Sequence, residues 1–133
     1  MMDIISKNNV VHAIFGDVYD LQQGTTFIGD PHERLQFSVL KYDADKILQS
    51  HVHLFRQRII NRTQESWICL QGRALVKVYD DYKNEIYKKE ITTGQFFISY
   101  IGGHGYEILE NNTIVIENKL GDFIGVEEDK EKF

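Results

Sequence analysis

The chain has 133 residues, of which 42% are hydrophobic and 12% aromatic, and it carries a formal net charge of −5 with a pI near 5.5. This length and composition predict one globular domain with its own core, and they exclude a disordered chain. The negative charge argues against a nucleic-acid-binding protein, because such proteins usually present a basic face. The single cysteine, Cys69, excludes an intramolecular disulfide, so nothing here requires an oxidising compartment.

The N-terminal segment "MMDIISKNNVV" has neither a basic leader nor a long apolar run, so it does not resemble a signal peptide. No window approaches the roughly 18 apolar residues that a membrane-spanning helix needs. We therefore expect a soluble, cytoplasmic protein that contacts no membrane and no nucleic acid. Its single domain is expected to span residues 1–133.

Along the chain, short β-prone runs alternate with turn residues, which is typical of an antiparallel sandwich or barrel. The predicted strands are VVHAIF (10–15), LQFSVLKY (35–42), KILQSHVHL (46–54), ESWICLQ (65–71), RALVKVYD (73–80), EIYKKEIT (85–92), QFFISYI (95–101), GYEIL (105–109) and TIVIEN (113–118). In RALVKVYD, Ala74, Val76 and Val78 alternate with polar residues, as in a strand with one buried face. The sequence therefore predicts an all-β domain, followed by a charged tail at 127–133.

Two histidines, His51 and His53, lie two positions apart in one predicted strand. Side chains at i and i+2 of a strand project from the same face, so the two imidazoles could chelate one metal ion. The alternative is that they are surface histidines on an amphipathic strand. His12 and His32 have no partner at such a spacing.

Further candidate ligands begin the neighbouring strands. Glu65 opens ESWICLQ, which Gly72 closes, and His104 lies in the glycine turn "GGHG" at the start of another strand. A barrel could bring these strand ends together with the histidine pair.

Taken together, "HVH", "ESWICLQG" and "GQFFISYIGGHGYEILENNT" resemble the two sequence motifs of the cupin superfamily. Those motifs are an HxH pair with a Glu before a Gly, and a glycine-rich turn that carries a third histidine. The resemblance covers about residues 46–118. The chain is most similar to small, single-domain bacterial cupins with an RTQE segment and an ending like DKERF, here NRTQE (61–65) and DKEKF (129–133). Members of that group are associated with surface-polysaccharide or sugar-nucleotide biosynthesis.

The resemblance implies a jelly-roll barrel (a double-stranded β-helix), a homodimer, and one divalent transition metal ion held inside the barrel. The metal would be iron, manganese, nickel, copper or zinc, and its ligands would be His51, His53, Glu65 and His104. Eleven residues separate His53 from Glu65, more than in the common cupin pattern. Gln64 is therefore an alternative to Glu65. A metal-free cupin that uses the same histidines as acid, base or hydrogen-bond partners is the alternative to a metal site.

Three arginines, Arg56, Arg58 and Arg62, lie between the histidine pair and Glu65. Guanidinium groups bind carboxylates and phosphates through paired hydrogen bonds, so this cluster indicates a small anionic ligand at the cavity mouth. Alternatively, the arginines pair with acidic residues such as Asp43 or Asp45, or with a second subunit.

Four other side chains complete the predicted site and core. Trp67 shares a strand face with Glu65, so it lines either the cavity or the core. Tyr106 and Glu107 follow His104, and we expect one of them to face the cavity as a proton donor or acceptor. Cys69 lies in an apolar run and is expected to be a small buried residue rather than a nucleophile.

These residues indicate a metal-binding cupin that acts on a small anionic ligand, such as a sugar or sugar nucleotide, as an isomerase or epimerase. The first alternative is a module that binds a metal or a sugar without turnover. The second is a metal-free sugar-nucleotide isomerase in which His51 or His53 acts as the base.

Overall fold

The computed structural model describes residues 2–122 and 124–133. This part of the chain forms antiparallel sheets with little helix, which confirms the predicted all-β class. It contains no helix that is long and apolar enough to cross a membrane. The elements are β1 (Asp3–Lys7), β2 (Val10–Asp17), a 3₁₀ turn (Val18–Asp20), β3 (Gly24–Ile28), β4 (Phe37–Lys41), β5 (Glu65–Gln71), β6 (Arg73–Tyr79), β7 (Glu85–Thr92), β8 (Gln95–Ser99), β9 (Gly103–Ile108), β10 (Ile114–Lys119) and α1 (Val126–Asp129).

The strands form a five-stranded sheet in the order β1-β2-β8-β5-β10, a three-stranded sheet in the order β7-β6-β9, and a β3-β4 hairpin. The chain passes from the first sheet to the second at Gly72, between β5 and β6. Gly72 has a φ of 84°, and a Cβ there would lie 2.3 Å from Thr113 Oγ1. Only glycine therefore fits this sharp step between the sheets.

The two larger sheets pack against each other through one apolar cluster. Its members come from both sheets and are Ala13, Phe15, Cys69, Ala74, Val76, Val78, Ile91 and Phe97. The buried face that the alternation in RALVKVYD predicts is thus confirmed, and Cys69 is buried as expected. Such sandwich-like packing places one face of each sheet in a shared core.

The other face of the five-stranded sheet is covered by the β3-β4 hairpin. A second cluster there contains Ile14, Ile28, Phe96, Ile98 and Tyr100, with Phe37 and Val39 of β4 packed against it. The five-stranded sheet is therefore buried on both faces at its strands β2 and β8.

The predicted strand over residues 46–54 is wrong. Residues 42–63 form no strand or helix, and every one of them is exposed. A strand needs a neighbouring strand to take up its backbone hydrogen bonds, and no described strand pairs with this segment. Conversely, β1 and β3 form although their sequences were not predicted as strands, because β2 and β4 pair with them.

Candidate functional site

Glu65 is the first residue of β5, in the interior of the five-stranded sheet. It pairs in register with Ser99 of β8 on one side and Lys119 of β10 on the other. Its side chain is only 4% exposed. A carboxylate buried to this extent is costly unless charged or hydrogen-bonding partners compensate it.

The partners of Glu65 come mainly from β9. Glu65 Oε1 lies 2.9 Å from His104 Nε2 and accepts a hydrogen bond of 2.7 Å from the Tyr106 hydroxyl. His104 and Tyr106 are two positions apart in β9, so their side chains project from the same face. Lys119 Nζ lies 3.9 Å from Glu65 Oε2, and His104 Nδ1 lies 3.1 Å from Ser99 Oγ. The result is a hydrogen-bonded network around one carboxylate.

The network fixes the protonation state of two of its members. Burial raises the pKa of Glu65, but the hydrogen bond and charge of His104, together with Tyr106 and Lys119, outweigh it and lower that pKa to about 2. Burial, followed by the charge of Glu65 and the hydrogen bond to it, raises the pKa of the Tyr106 hydroxyl well above its usual range. Glu65 is therefore a carboxylate, and Tyr106 is a neutral donor to it.

Trp67 packs against the face of the Tyr106 ring. The two rings stack with centroids 3.3 Å apart and an angle of 6° between their planes. The indole Nε1–H donates a hydrogen bond of 2.9 Å to Glu117 Oε1 of β10. Trp67 shares the strand face of Glu65, as predicted, but Tyr106 and not Trp67 is among the residues that line the adjoining cavity.

A cavity of about 510 Å³ opens over this network, a volume in the range of small-molecule sites. Its lining residues are Thr63, Glu65, Tyr79, Gly102, Gly103, His104, Gly105, Tyr106, Glu117 and residues 129–133. Gly102 has a φ of 81°, and a Cβ there would lie 2.2 Å from the carbonyl oxygen of Tyr79. Glycine at position 102 therefore permits the tight turn "GGHG" that places His104 at the cavity.

Residues 129–133 of the charged tail also line the cavity. Phe133 packs edge-to-face on Tyr79 with ring centroids 4.9 Å apart, and Lys83 lies 5.7 Å from the centre of the Phe133 ring. Lys83 also forms an ion pair with Glu131, and Thr63 Oγ1 donates a hydrogen bond of 3.2 Å to Asp129. The sequence predicts the tail but gives no sign of this role, because its contacts are with residues distant along the chain.

The predicted histidine pair lies elsewhere. His51 and His53 are exposed in the segment 42–63, with ring centroids 5.1 Å apart. Within residues 2–122 and 124–133, no three His, Cys, Asp or Glu side chains converge as metal ligands would. Of the four predicted ligands, Glu65 and His104 contact each other. The described residues of one chain therefore do not fit the four-ligand site.

The remaining predicted residues separate into two groups. Arg56, Arg58 and Arg62 are exposed in the same segment as the histidine pair, and none of them lines the cavity. Glu107 follows Tyr106 on β9, but its side chain is exposed and is not among the residues that line the cavity.

Of the alternatives Glu65 and Gln64, Glu65 lines the cavity. Gln64 is buried on another side, where its Oε1 accepts a hydrogen bond of 2.8 Å from the Leu35 backbone N–H. Its Nε2 donates to Glu33 Oε2 at 2.7 Å and to the Tyr100 carbonyl at 3.3 Å.

Sequence reasoning missed Ser99, Lys119 and Glu117, which complete the network. No motif marks them, since only the register of β8 and β10 against β5 brings Ser99 to His104, Lys119 to Glu65 and Glu117 to Trp67. Comparison with known proteins adds nothing to this geometry: no protein-family model, no curated protein and no solved structure matches the chain.

Proposed function

We propose that the chain is a cupin-like isomerase or epimerase that binds a sugar or sugar nucleotide and moves a proton on it through His104. The observation that carries this proposal is the Glu65–His104–Tyr106 network at the floor of the cavity. The antiparallel all-β fold and the two cupin-like motifs support the family assignment.

His104 is the proton-transfer group in this proposal. Its side chain is 26% exposed, whereas that of Glu65 is 4% exposed, so the imidazole is the part of the pair that a ligand can reach. Glu65 orients the ring and offsets the positive charge that forms when the imidazole takes up a proton. Because His104 and Tyr106 both bond to Oε1, one can turn to the ligand while the other keeps the buried carboxylate compensated.

The cavity wall suits a polar ring compound. Tyr79 and Tyr106 offer apolar ring surface, and Glu117, Lys130 and Lys132 offer hydrogen-bonding charges around it. Two lysines in the wall of an otherwise acidic protein are compatible with a ligand that carries a phosphate. A metal ion enters the proposal only if His51 and His53 reach this cavity, so no step of the reaction is assigned to it.

The test is solvent proton exchange on candidate substrates. Nucleoside-diphosphate ketohexoses are incubated with the protein in D₂O, and proton NMR follows the hydrogen on the carbon next to the carbonyl. We expect exchange with the wild type that falls at least about 100-fold in His104→Gln, the usual effect of losing a general acid or base. The control His32→Gln changes an exposed histidine outside the cavity and should exchange at the wild-type rate.

The same samples separate the alternatives. Binding without exchange would replace the enzyme by a binding module. Exchange that survives chelator treatment would favour metal-free chemistry. Exchange that is equally fast in His104→Gln would refute the role assigned to the network.

A further inference from the structure

Residues 42–63, here called the arm, expose an unusual amount of apolar surface. Eight large hydrophobic side chains of the arm are exposed, and Phe55 is 98% exposed; they are Tyr42, Ile47, Leu48, Val52, Leu54, Phe55, Ile59 and Ile60. Connections of this length without secondary structure are uncommon in compact domains, and contiguous apolar surface of this kind marks interaction sites.

The arm is attached to the domain at both of its ends. Tyr42 shares a 2.7 Å hydrogen bond with Thr25, and Arg34 Nε donates a 2.7 Å hydrogen bond to the Ile59 carbonyl. Thr63 bonds to Asp129, and the next residue, Gln64, is buried. The arm therefore leaves and rejoins the domain at defined points, while its middle, residues 47–55, is exposed throughout.

In the described part of the chain, the two larger sheets also have edge strands with a neighbour on one side only: β1 and β10 in the five-stranded sheet, and β7 and β9 in the three-stranded sheet. β9 pairs with β6 on one side only, and β10 pairs with β5 on one side only. Their exposed residues include Ile108 on β9 and Ile114 and Ile116 on β10. An open edge of this kind presents unpaired backbone N–H and C=O groups that can take up another strand.

The sequence of the arm has the alternating pattern of a strand that could pair with such an edge. His51, His53 and Phe55 alternate with Val52 and Leu54, so in a strand the two histidines would share one face. A strand added to β9 would extend the same sheet, whose cavity side carries His104 and Tyr106. Pairing of the arm with β9 can thus place both histidines beside the network.

We propose that two copies of this chain exchange arms, so that the arm of each copy pairs with the free β9 edge of the other. Each chain carries one projecting arm and one open β9 edge, and a two-fold pair satisfies both features in both copies. His51 and His53 of the partner subunit then complete the cavity around Glu65 and His104. The completion of the site rests on the proposed function, whereas the exchange rests only on the arm and the edge.

Photochemical cross-linking tests the exchange without any ligand or metal. Leu54 is replaced by benzoylphenylalanine in chains labelled with ¹⁴N and with ¹⁵N, which are unfolded together and refolded as an equal mixture. We expect a dimer in light scattering, and cross-links from the arm to residues 103–108 of which about half join a ¹⁴N peptide to a ¹⁵N peptide. The same replacement at Tyr82, which is exposed in the β6–β7 turn, should give no cross-link to β9.

A monomer, or cross-links that join only peptides of one label, would overturn the exchange. The latter result would show that the arm folds onto the β9 edge of its own chain.

Zinc binding by tag-free hybrids then tests whether the exchanged arm completes the site. One chain carries His51→Ala and His53→Ala, and the other carries His104→Ala. Neither variant alone should bind Zn²⁺, but the purified hybrid should bind about half as much as the wild type, because one of its two sites combines intact residues from both chains. A hybrid without zinc, beside a zinc-loaded wild type, would overturn completion by the partner. A wild type that binds no zinc would overturn the completion of a metal site by the arm, and it would leave both the cross-linking result and the proton transfer proposed for His104 unchanged.

Discussion

Replacing Tyr106 by phenylalanine isolates one hydrogen bond of the candidate site. The hydroxyl of Tyr106 donates to Glu65 Oε1 at 2.7 Å, and the carboxylate is buried. The aromatic ring, which stacks on Trp67, is retained in Tyr106→Phe. Packing therefore changes little, and the variant reports the loss of a donor to a buried charge.

A hydrogen bond to a charged group contributes about 1.5–3 kcal/mol to stability. Because His104 and Lys119 still compensate Glu65, we expect Tyr106→Phe to lower the free energy of unfolding by about 2 kcal/mol, near the lower end of that range. For a domain of this size, that corresponds to a fall in melting temperature of about 6–8 °C.

The effect of Tyr106→Phe should depend on pH. The pKa of Glu65 is lowered in the folded state to about 2 from an ordinary 4.5, so its stabilising contribution is present above the unfolded pKa and lost as the pH falls through the folded pKa. The stability difference between Tyr106→Phe and the wild type should therefore be complete above about pH 5 and shrink towards pH 2.

Urea unfolding, followed by tryptophan fluorescence and far-UV circular dichroism, measures this difference at several pH values. Tyr100→Phe is the matched control, because the Tyr100 hydroxyl is buried and has no hydrogen-bond partner among the described residues. Removing it should leave stability unchanged or raise it by up to about 1 kcal/mol. Equal losses in the two variants, or a Tyr106→Phe loss that is the same at pH 3 and pH 7, would show that the Tyr106 hydroxyl does not stabilise the buried Glu65 carboxylate.

Three further predictions concern the frame around the site. Gly16→Ala should lower the free energy of unfolding by about 1–3 kcal/mol in urea unfolding, because its Cβ would lie 2.3 Å from the Phe96 ring; an unchanged midpoint would contradict this close packing. Gln64→Leu should cost about 1–3 kcal/mol in the same assay, since it leaves the Leu35 N–H without its acceptor, whereas a neutral effect would contradict that role. Lys7 and the backbone of the following turn hold the pKa of Asp80 well below its usual range, so Asp80→Asn should lower the melting temperature at pH 7 and lower it less below about pH 4; a deficit that grows in acid would contradict this sign.

Local patterns were enough to predict the strands that lie in the core. The alternation in β6 and the apolar run of β5 mark strands directly, because one or both faces of each are buried. β1 and β3 have weaker patterns and are strands because β2 and β4 pair with them. The segment 46–54 shows the reverse case, in which a strand-like pattern has no pairing partner in its own chain.

The candidate site was predictable where its residues begin strands that meet. Glu65 and His104 were predicted because they lie at strand starts, and Tyr106, with Glu107 as its alternative, because it follows His104; the structure brings Glu65 into contact with both His104 and Tyr106. Ser99 and Lys119 could not be found, since only the register of β8 and β10 against β5 places them there. The charged tail lines the cavity through contacts such as that of Phe133 with Tyr79, which no local sequence pattern encodes.

The most direct test of the account is a titration of the cavity watched by NMR at Trp67. The chain has one tryptophan, so its indole N–H gives a single ¹H–¹⁵N peak, and this group bonds to Glu117 in the cavity wall. A panel of hexose phosphates and nucleoside-diphosphate hexoses is added to the wild type, to His104→Gln and to His32→Gln. We expect at least one compound to shift the peak in the wild type and in His32→Gln, with binding at least tenfold weaker in His104→Gln. A panel that leaves the peak unmoved, or binding that is the same without His104, would contradict the assignment of this cavity as the functional site.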